Sequence, residues 1–139
     1  LLRKEASAGF DTLAHHLSFE PKIRAIKQNI LDFLIQSKRQ GKNVVGYGAP
    51  AKGNTLLNYC GIRTDFIDYT VDRSPHKQDH YLPGTRIPIH HPDKIKETRP
   101  DFVVILPWNL KEEIMGQMAH IRNWGAQFVT FIPSIQIHP

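Results

Sequence analysis

Apolar and polar residues follow one another along this chain in a pattern that predicts helices and strands in turn. The first clear signal is a set of apolar residues at helical spacing, which form one face of a helix: Ile23, Ile26, Ile30, Phe33 and Leu34. This helix is predicted to begin within residues 19–21, because Ser18 can act as its N-cap and Pro21 is tolerated in a first turn. Gly41 is predicted to end it.

Beyond Gly41 the chain alternates between short apolar runs and amphipathic segments. Strands are predicted over residues 43–47, 66–71, 86–90, 102–106 and 127–132, and helices over residues 51–59, 92–98 and 111–123. Gly61 is predicted to end the second helix, and Pro88 places its strand at an edge of the sheet. A polar loop over residues 73–85 contains the turn sequence Leu82-Pro83-Gly84-Thr85.

Strands that alternate with helices indicate a mainly parallel sheet with right-handed crossovers. The predicted fold is therefore Rossmann-like α/β, with helices on both faces of the sheet and an N-terminal helix in front. The apolar, β-branched runs at 44–47 and 103–106 are predicted to be internal strands. Residues 1–18 are predicted to be a linker or leading arm, and residues 19–139 to be the domain.

A glycine turn between the first strand and the second helix is the most informative local feature. Gly46, Gly48 and Ala51 match the G-x-G-x-x-G/A spacing of dinucleotide-binding loops. Small residues let the backbone approach a phosphate, and the following helix start offers unpaired N–H groups and the positive end of a dipole. Lys52 adds a mobile positive charge beside that end. A P-loop is rejected, because Asn54 stands where that motif needs lysine.

Two other interpretations of this turn stay open. A nicotinamide dehydrogenase needs an acidic residue near the end of the second strand, and Asp72 fits that position. Alternatively, the segment is a tight strand-to-helix turn that binds no ligand, since a lone glycine signature is a weak motif.

Ligands of open parallel sheets bind beyond the carboxyl ends of the strands, and three places here meet that description. They are the glycine turn, Asp72 with its following loop, and the segment after the strongest strand. Trp108 in that segment offers a stacking face, although it is equally suited to packing against a helix. The candidate binding residues are Tyr47, Gly48, Ala49, Pro50, Ala51, Lys52, Gly53, Asn54, Asp72, Pro107, Trp108 and Asn109.

Composition narrows the classes of partner. Lys and Arg outnumber Asp and Glu by 18 to 13, giving a net charge of +5 that favours anionic partners. The basic residues are scattered and no nucleic-acid motif matches, so a small phosphorylated ligand is favoured over nucleic acid. No apolar run approaches the ~18 residues needed to cross a bilayer. With no signal peptide pattern and a single cysteine, the chain is expected to be cytoplasmic.

Metal binding and nucleophilic catalysis are not expected of this chain. Among the 8 histidines, His76 and His80 are four residues apart and His90 and His91 are adjacent, but no cysteine or carboxylate completes a recognisable ligand set. Nothing in the sequence identifies a base that would activate Cys60. No general base lies in a diagnostic motif, and the chain is interpreted as a binding domain.

Three separated blocks, in order and with compatible intervals, carry a resemblance to a known family. They are VVGYGAPAKGNTLLNYCGI (44–62), DYTVDRSPHKQDHYLPGTRIPIHHPDKI (68–95) and RPDFVVILPWNLKEEI (99–114). Over residues 19–133 the chain resembles the C-terminal domain of S-adenosylmethionine (SAM)-dependent sugar C-methyltransferases. Members of that family are similar to one another in carrying three parts: a zinc-binding module, a SAM-binding domain and this domain.

The resemblance implies a role for the chain as part of a larger enzyme. The enzyme would remove a proton beside the ketone of a nucleotide-linked keto-deoxysugar, and the enolate would attack the SAM methyl group. SAM and the acid–base residues would belong to the SAM-binding domain of the same polypeptide, so no catalytic residue is assigned here. This domain would bind the nucleotide-diphosphate sugar, whose remote binding energy positions the reacting carbon. The alternatives are a stand-alone NAD(P)- or nucleotide-binding module and a non-enzymatic interaction domain.

Overall fold

The computed structural model of the chain describes residues 20–139, with side chains from residue 22 onward. The predicted leading arm over residues 1–18, the Ser18 cap and Phe19 lie outside the described residues. The helices are α1 (Glu20–Arg39), α2 (Ala51–Cys60), α3 (Lys94–Thr98) and α4 (Lys111–Gln117). Short 3₁₀ helices cover Trp108–Leu110 and Ala119–Trp124. The strands are β1 (Val44–Tyr47), β2 (Thr70–Val71), β3 (Ile89–His90), β4 (Phe102–Ile105), β5 (Gln127–Thr130) and β6 (Gln136–His138).

The six strands form one sheet in the order β3-β2-β1-β4-β5-β6. β1 to β5 pair in parallel, and β6 pairs antiparallel to β5. The chain runs outward from β1 to β3 and then returns across the sheet to begin β4, so the strand order reverses between β1 and β4. This confirms the Rossmann-like α/β fold and the internal position of both apolar strands.

Each face of the sheet carries its own apolar core, because successive side chains of a strand point to opposite faces. Val44 packs with Leu34 and Leu56, in the cluster beneath α1 and α2. Val45 and Tyr47 belong instead to the cluster beneath α3 and α4. Helices therefore cover both faces, as predicted, and Tyr47 lies on the α4 side of the sheet.

Both predicted glycine stops are confirmed, and the strand predicted over residues 86–90 is an edge strand as expected but covers only Ile89–His90. Gly41 and Gly61 have left-handed φ angles of 75° and 73°, and Gly61 caps α2 by donating its N–H to Asn58 and Leu57. β3 lies at the edge of the sheet. Pro88, just before it, contributes its carbonyl, which accepts a hydrogen bond from the Thr70 N–H at 2.9 Å.

The predicted strand over residues 66–71 is shorter in the structure. Residues 64–66 form a turn, in which the N–H groups of Phe66 and Ile67 both donate to the Arg63 carbonyl. The backbone first reaches β1 at Asp68, whose N–H donates to Val44 O at 3.0 Å. Apolar residues here fill the core from a turn, which residue composition does not distinguish from a strand.

The end of the chain also differs from the prediction. The helix predicted over residues 111–123 is α-helical only to Gln117, because Met118 leaves the helical conformation with φ −110° and ψ 22°. Gly116, a weak helix former, stands two residues before that break. β6 was not predicted, since its one apolar residue, Ile137, is exposed between polar neighbours and produces no strand pattern.

Candidate functional site

The end of β1 and the segment after β4 touch at Gly48. Its N–H donates to Val71 O at 2.6 Å, and its φ of 97° lies where side chains are disfavoured. A Cβ added to Gly48 would lie 2.6 Å from Pro107 Cδ. Only glycine therefore lets the chain turn here with Pro107 so close.

Two further glycines allow close packing around the turn. A Cβ on Gly46 would lie 2.9 Å from the Thr70 hydroxyl oxygen, which donates a buried hydrogen bond of 2.7 Å to Gly48 O. A Cβ on Gly53 would lie 2.9 Å from Leu106 Cβ, where α2 crosses the segment that follows β4. The tight helix-to-sheet contact thus comes from Gly53, whereas Ala51 is exposed in the first turn of α2.

Residues that follow β2 hold the glycine turn in place. Asp72 Oδ2 accepts the Ala49 N–H at 3.0 Å, and its Oδ1 accepts the Ser74 N–H at 2.9 Å. Lys77 Nζ donates to the Ala49 carbonyl at 3.2 Å. Asp72, which the dinucleotide hypothesis assigns to a ribose, here bonds to two backbone amides of its own chain.

The start of α2 carries the candidate cation. Pro50 is the N-cap residue, and Lys52 is exposed in the first turn. Within residues 20–139, the side chain of Lys52 forms no hydrogen bond or ion pair. The Oδ1 atom of Asn54 is buried and accepts no hydrogen bond from any described residue. Lys52 is thus free to meet an anion, and Asn54 holds an unused acceptor beside it.

A crevice opens at the carboxyl end of the sheet, on the α4 side. It consists of two adjoining hollows that share Tyr47, Arg73 and Gln117. The larger one, of about 430 Å³, is completed by His91, Pro92 and Met118. The smaller one, of about 180 Å³, is completed by Gly48, Asp72, Pro107, Leu110, Glu113 and Ile114. The crevice lies beside the strand-order reversal between β1 and β4, where open α/β sheets bind ligands.

The crevice brings together four of the twelve predicted site residues: Tyr47, Gly48, Asp72 and Pro107. The other eight do not line it: Ala49, Pro50, Ala51, Lys52, Gly53, Asn54, Trp108 and Asn109. Trp108 is partly buried and packs against the core beneath α1 and α2, and Asn109 is exposed. The predicted residues therefore fall into a group in the crevice and a group around the turn and the start of α2.

Several crevice residues were not predicted from the sequence. The missed ones are Arg73, His91, Pro92, Leu110, Glu113, Ile114, Gln117 and Met118. A signal for two of them was present: Glu113 and Gln117 are four residues apart on a predicted helix, which places them on one face. Arg73 directly follows the predicted Asp72, but nothing in the sequence separates it from an ordinary loop arginine.

Three charge effects meet at the Tyr47 hydroxyl. Burial raises the pKa of Tyr47, the nearby Arg73 lowers it, and Asp72 raises it again. The net effect is a pKa above the ordinary value, so the phenol is a hydrogen-bond donor at neutral pH. Arg73 and Asp72 line the smaller hollow together with Tyr47.

Cys60 is unsuited to nucleophilic catalysis. Burial raises the pKa of its thiol to about 11, with Lys27 opposing the shift.

Within residues 20–139, no group of three or more His, Cys, Asp or Glu residues is placed to hold a metal ion. Among the helices of that same range, none is both long and apolar enough to cross a membrane.

Comparison with known proteins identifies similar chains. Residues 1–133 match the family model described as the C-methyltransferase C-terminal domain. The chain is 31% identical over 137 residues to C-methyltransferase NovU of Streptomyces niveus, covering 99% of this chain and 33% of that protein. It thus spans about a third of the length of this curated relative. A UDP-D-quinovosamine 4-dehydrogenase structure from Vibrio fischeri aligns with a TM-score of 0.49 and 24% identity, over 67% of this chain and 79% of that one.

Proposed function

Because the chain belongs to the C-methyltransferase C-terminal domain family, we propose that it binds a nucleotide-diphosphate-linked keto-deoxysugar for a SAM-dependent methyl transfer. In this proposal the SAM-binding domain belongs to the same polypeptide and faces the crevice. The observation that carries the proposal is the crevice beside the β1–β4 reversal, in a chain of this family. A cytoplasmic location is part of the proposal and is supported by the single, buried cysteine.

The described residues do not fit SAM. Its sulfonium is cationic, and the larger hollow carries the guanidinium of Arg73 with no carboxylate among its lining residues. Asp72, the carboxylate that would hold a ribose diol, is already bonded through both oxygens to backbone amides of this chain. We therefore assign to this chain the binding and orientation of the sugar nucleotide and derive no chemical step through SAM.

Two features suit the chain to that task. The carboxyl end of the sheet offers exposed cations, Lys52 and Arg73, to a diphosphate. The crevice adds an apolar wall and neutral hydrogen-bonding groups, which suit the uncharged parts of a nucleotide sugar. Binding the ligand through its diphosphate and nucleoside, which are remote from the reacting carbon, would position that carbon. It would also help to exclude water once a second domain covers the crevice.

Ligand selectivity of the 139-residue chain tests the proposal. In calorimetric titrations, a thymidine-diphosphate or guanosine-diphosphate sugar is expected to bind, whereas SAM and NAD⁺ at the same concentrations are not. A domain that lacks its covering partner is expected to bind weakly, so the titrations should reach millimolar ligand. Tighter binding of NAD⁺ would identify a dinucleotide module, and a response to SAM alone would contradict the division of roles.

Lys52→Ala in the full-length enzyme is expected to weaken use of the sugar nucleotide by roughly 10- to 100-fold. A charge-assisted hydrogen bond contributes ~1.5–3 kcal/mol, and each ~1.4 kcal/mol is a factor of ten. The start of α2, worth ~0.3–1 kcal/mol toward an anion, remains in the variant and does not add to this loss. The measurement is kcat/KM for each substrate, varied separately, and the value for SAM should hardly change.

Lys96→Ala, an exposed lysine of α3, is the matched control for Lys52. It removes the same charge at a position outside both the glycine turn and the lining of the crevice. Equal losses for SAM and sugar nucleotide in the Lys52 variant would indicate general misfolding. Unchanged constants for both substrates would remove Lys52 from the site.

A further inference from the structure

We propose that the larger hollow of the crevice takes the nucleoside end of the nucleotide sugar, and that Arg73 faces its diphosphate. This deepens the proposed function and rests on it for the identity of the ligand. It assigns binding roles to Tyr47, Gln117 and Arg73, two of which the sequence did not indicate.

The chemistry of the larger hollow matches a nucleoside better than a sugar or a bare phosphate. Pro92 and Met118 provide apolar surface, which a base can cover and a sugar cannot use well. The Gln117 side chain offers both a donor and an acceptor, as the edge of a base requires. The Tyr47 hydroxyl adds a donor, because burial raises its pKa. A volume of about 430 Å³ is within the range of small-molecule sites.

The smaller hollow does not suit the diphosphate. Its lining includes the carboxylates of Asp72 and Glu113, which repel an anion. Arg73 stands where the two hollows meet and is exposed. Among described residues its guanidinium has no ion pair within 4.0 Å, so it remains available to a phosphate. A nucleoside in the larger hollow would thus place its first phosphates beside Arg73.

The position of Asp72 supports the same arrangement. Its two oxygens accept the amides of Ala49 and Ser74, so its charge is held against the backbone of the turn. The neighbouring Arg73 extends the opposite charge toward the crevice and lowers the pKa of Tyr47. In this arrangement Asp72 stabilises the turn, and the adjacent Arg73, of opposite charge, binds the ligand.

Chemical-shift mapping of the 139-residue chain tests the proposal. The probes are thymidine 5′-diphosphate, guanosine 5′-diphosphate and inorganic pyrophosphate. At least one nucleotide is expected to shift the signals of Tyr47, Arg73 and Gln117, including the Gln117 side-chain amide. Arg73→Gln should weaken its binding by about 10-fold, the loss of one charge-assisted contact. Gln117→Leu should weaken it while leaving pyrophosphate unaffected.

Arg63→Gln is the matched control, because Arg63 is an exposed arginine that does not line the crevice. Its affinity for each probe should equal that of the parent chain. Equal shifts from pyrophosphate and the nucleotides would contradict a nucleoside site. Shifts confined to Lys52 and its neighbours would also contradict a nucleoside site in the crevice, as would the absence of any shift with either nucleotide. Nucleotide shifts in the crevice, with no sugar nucleotide used by the full-length enzyme, would keep the crevice assignment and reject the proposed function.

Discussion

Gly48→Ala is expected to lower the free energy of unfolding by about 3 kcal/mol or more. A non-glycine residue at such a φ angle costs of order 1–3 kcal/mol. The new Cβ would also lie 2.6 Å from Pro107 Cδ, and overpacking of this kind typically costs ~1–3 kcal/mol. Since small domains are stable by only ~5–15 kcal/mol, this single methyl removes a large share of the total. Urea unfolding followed by circular dichroism measures the change.

Two companion variants separate the backbone cost from the steric one. Gly61 has a φ of 73° and open space around it, so Gly61→Ala should lose only the backbone part, ~1–2 kcal/mol. Combining Gly48→Ala with Pro107→Ala removes the clashing ring, so the double variant should lose less than the sum of the two single ones. Equal losses for Gly48→Ala and Gly61→Ala would show that Pro107 does not constrain the turn.

The 139-residue chain by itself is expected to transfer no methyl group. In the proposed function, SAM and the acid–base residues belong to another domain of the same polypeptide. Within the crevice, the raised pKa of Tyr47 keeps the phenol protonated, and Asp72 is bonded to backbone amides. A typical enzyme turns over at ~10 per second, so product from the full-length protein and none from the chain would be an unambiguous difference. The assay uses labelled SAM with a nucleotide-linked keto-sugar.

The full-length enzyme carrying Gly48→Ala is the informative control for that assay. It keeps every other domain but disturbs the turn that borders the crevice, so it should retain SAM binding while losing turnover. Methylated product formed repeatedly by the isolated chain would overturn the assignment of catalysis to another domain. Turnover by a protein from which residues 20–139 have been deleted would instead contradict the proposed role of this domain in binding the sugar nucleotide.

The sequence was sufficient for the features that depend on local chemistry. Apolar runs located β1 and β4, and helix ends were predicted at Gly41 and Gly61, where the structure has the positive φ angles that glycine adopts readily. The glycine turn was also found in its correct place. The strand predicted over residues 66–71 is longer than β2, because the apolar residues of a turn that fills the core resemble those of a strand.

Only part of the candidate site could be predicted from the sequence, because its residues are distant in sequence and come together only in the folded chain. The spacing of the fingerprint pointed to Ala51, whereas the tight contact belongs to Gly53, whose neighbour Leu106 is distant in sequence. Arg73 lines both hollows of the crevice, and Trp108 packs against the core beneath α1 and α2, which is one of the two roles that the sequence left open. Spacing along the chain cannot report which face of a sheet a side chain will occupy after a turn.

Because Asp72 accepts the Ala49 amide, a carboxylate of the chain itself competes with any external anion for that N–H. A phosphate that approached the Ala49 N–H would have to displace a tethered carboxylate, whose effective concentration no dilution can lower. An external anion therefore gains little by displacing it and does better against Lys52 or Arg73, which have no ion-pair partner among residues 20–139.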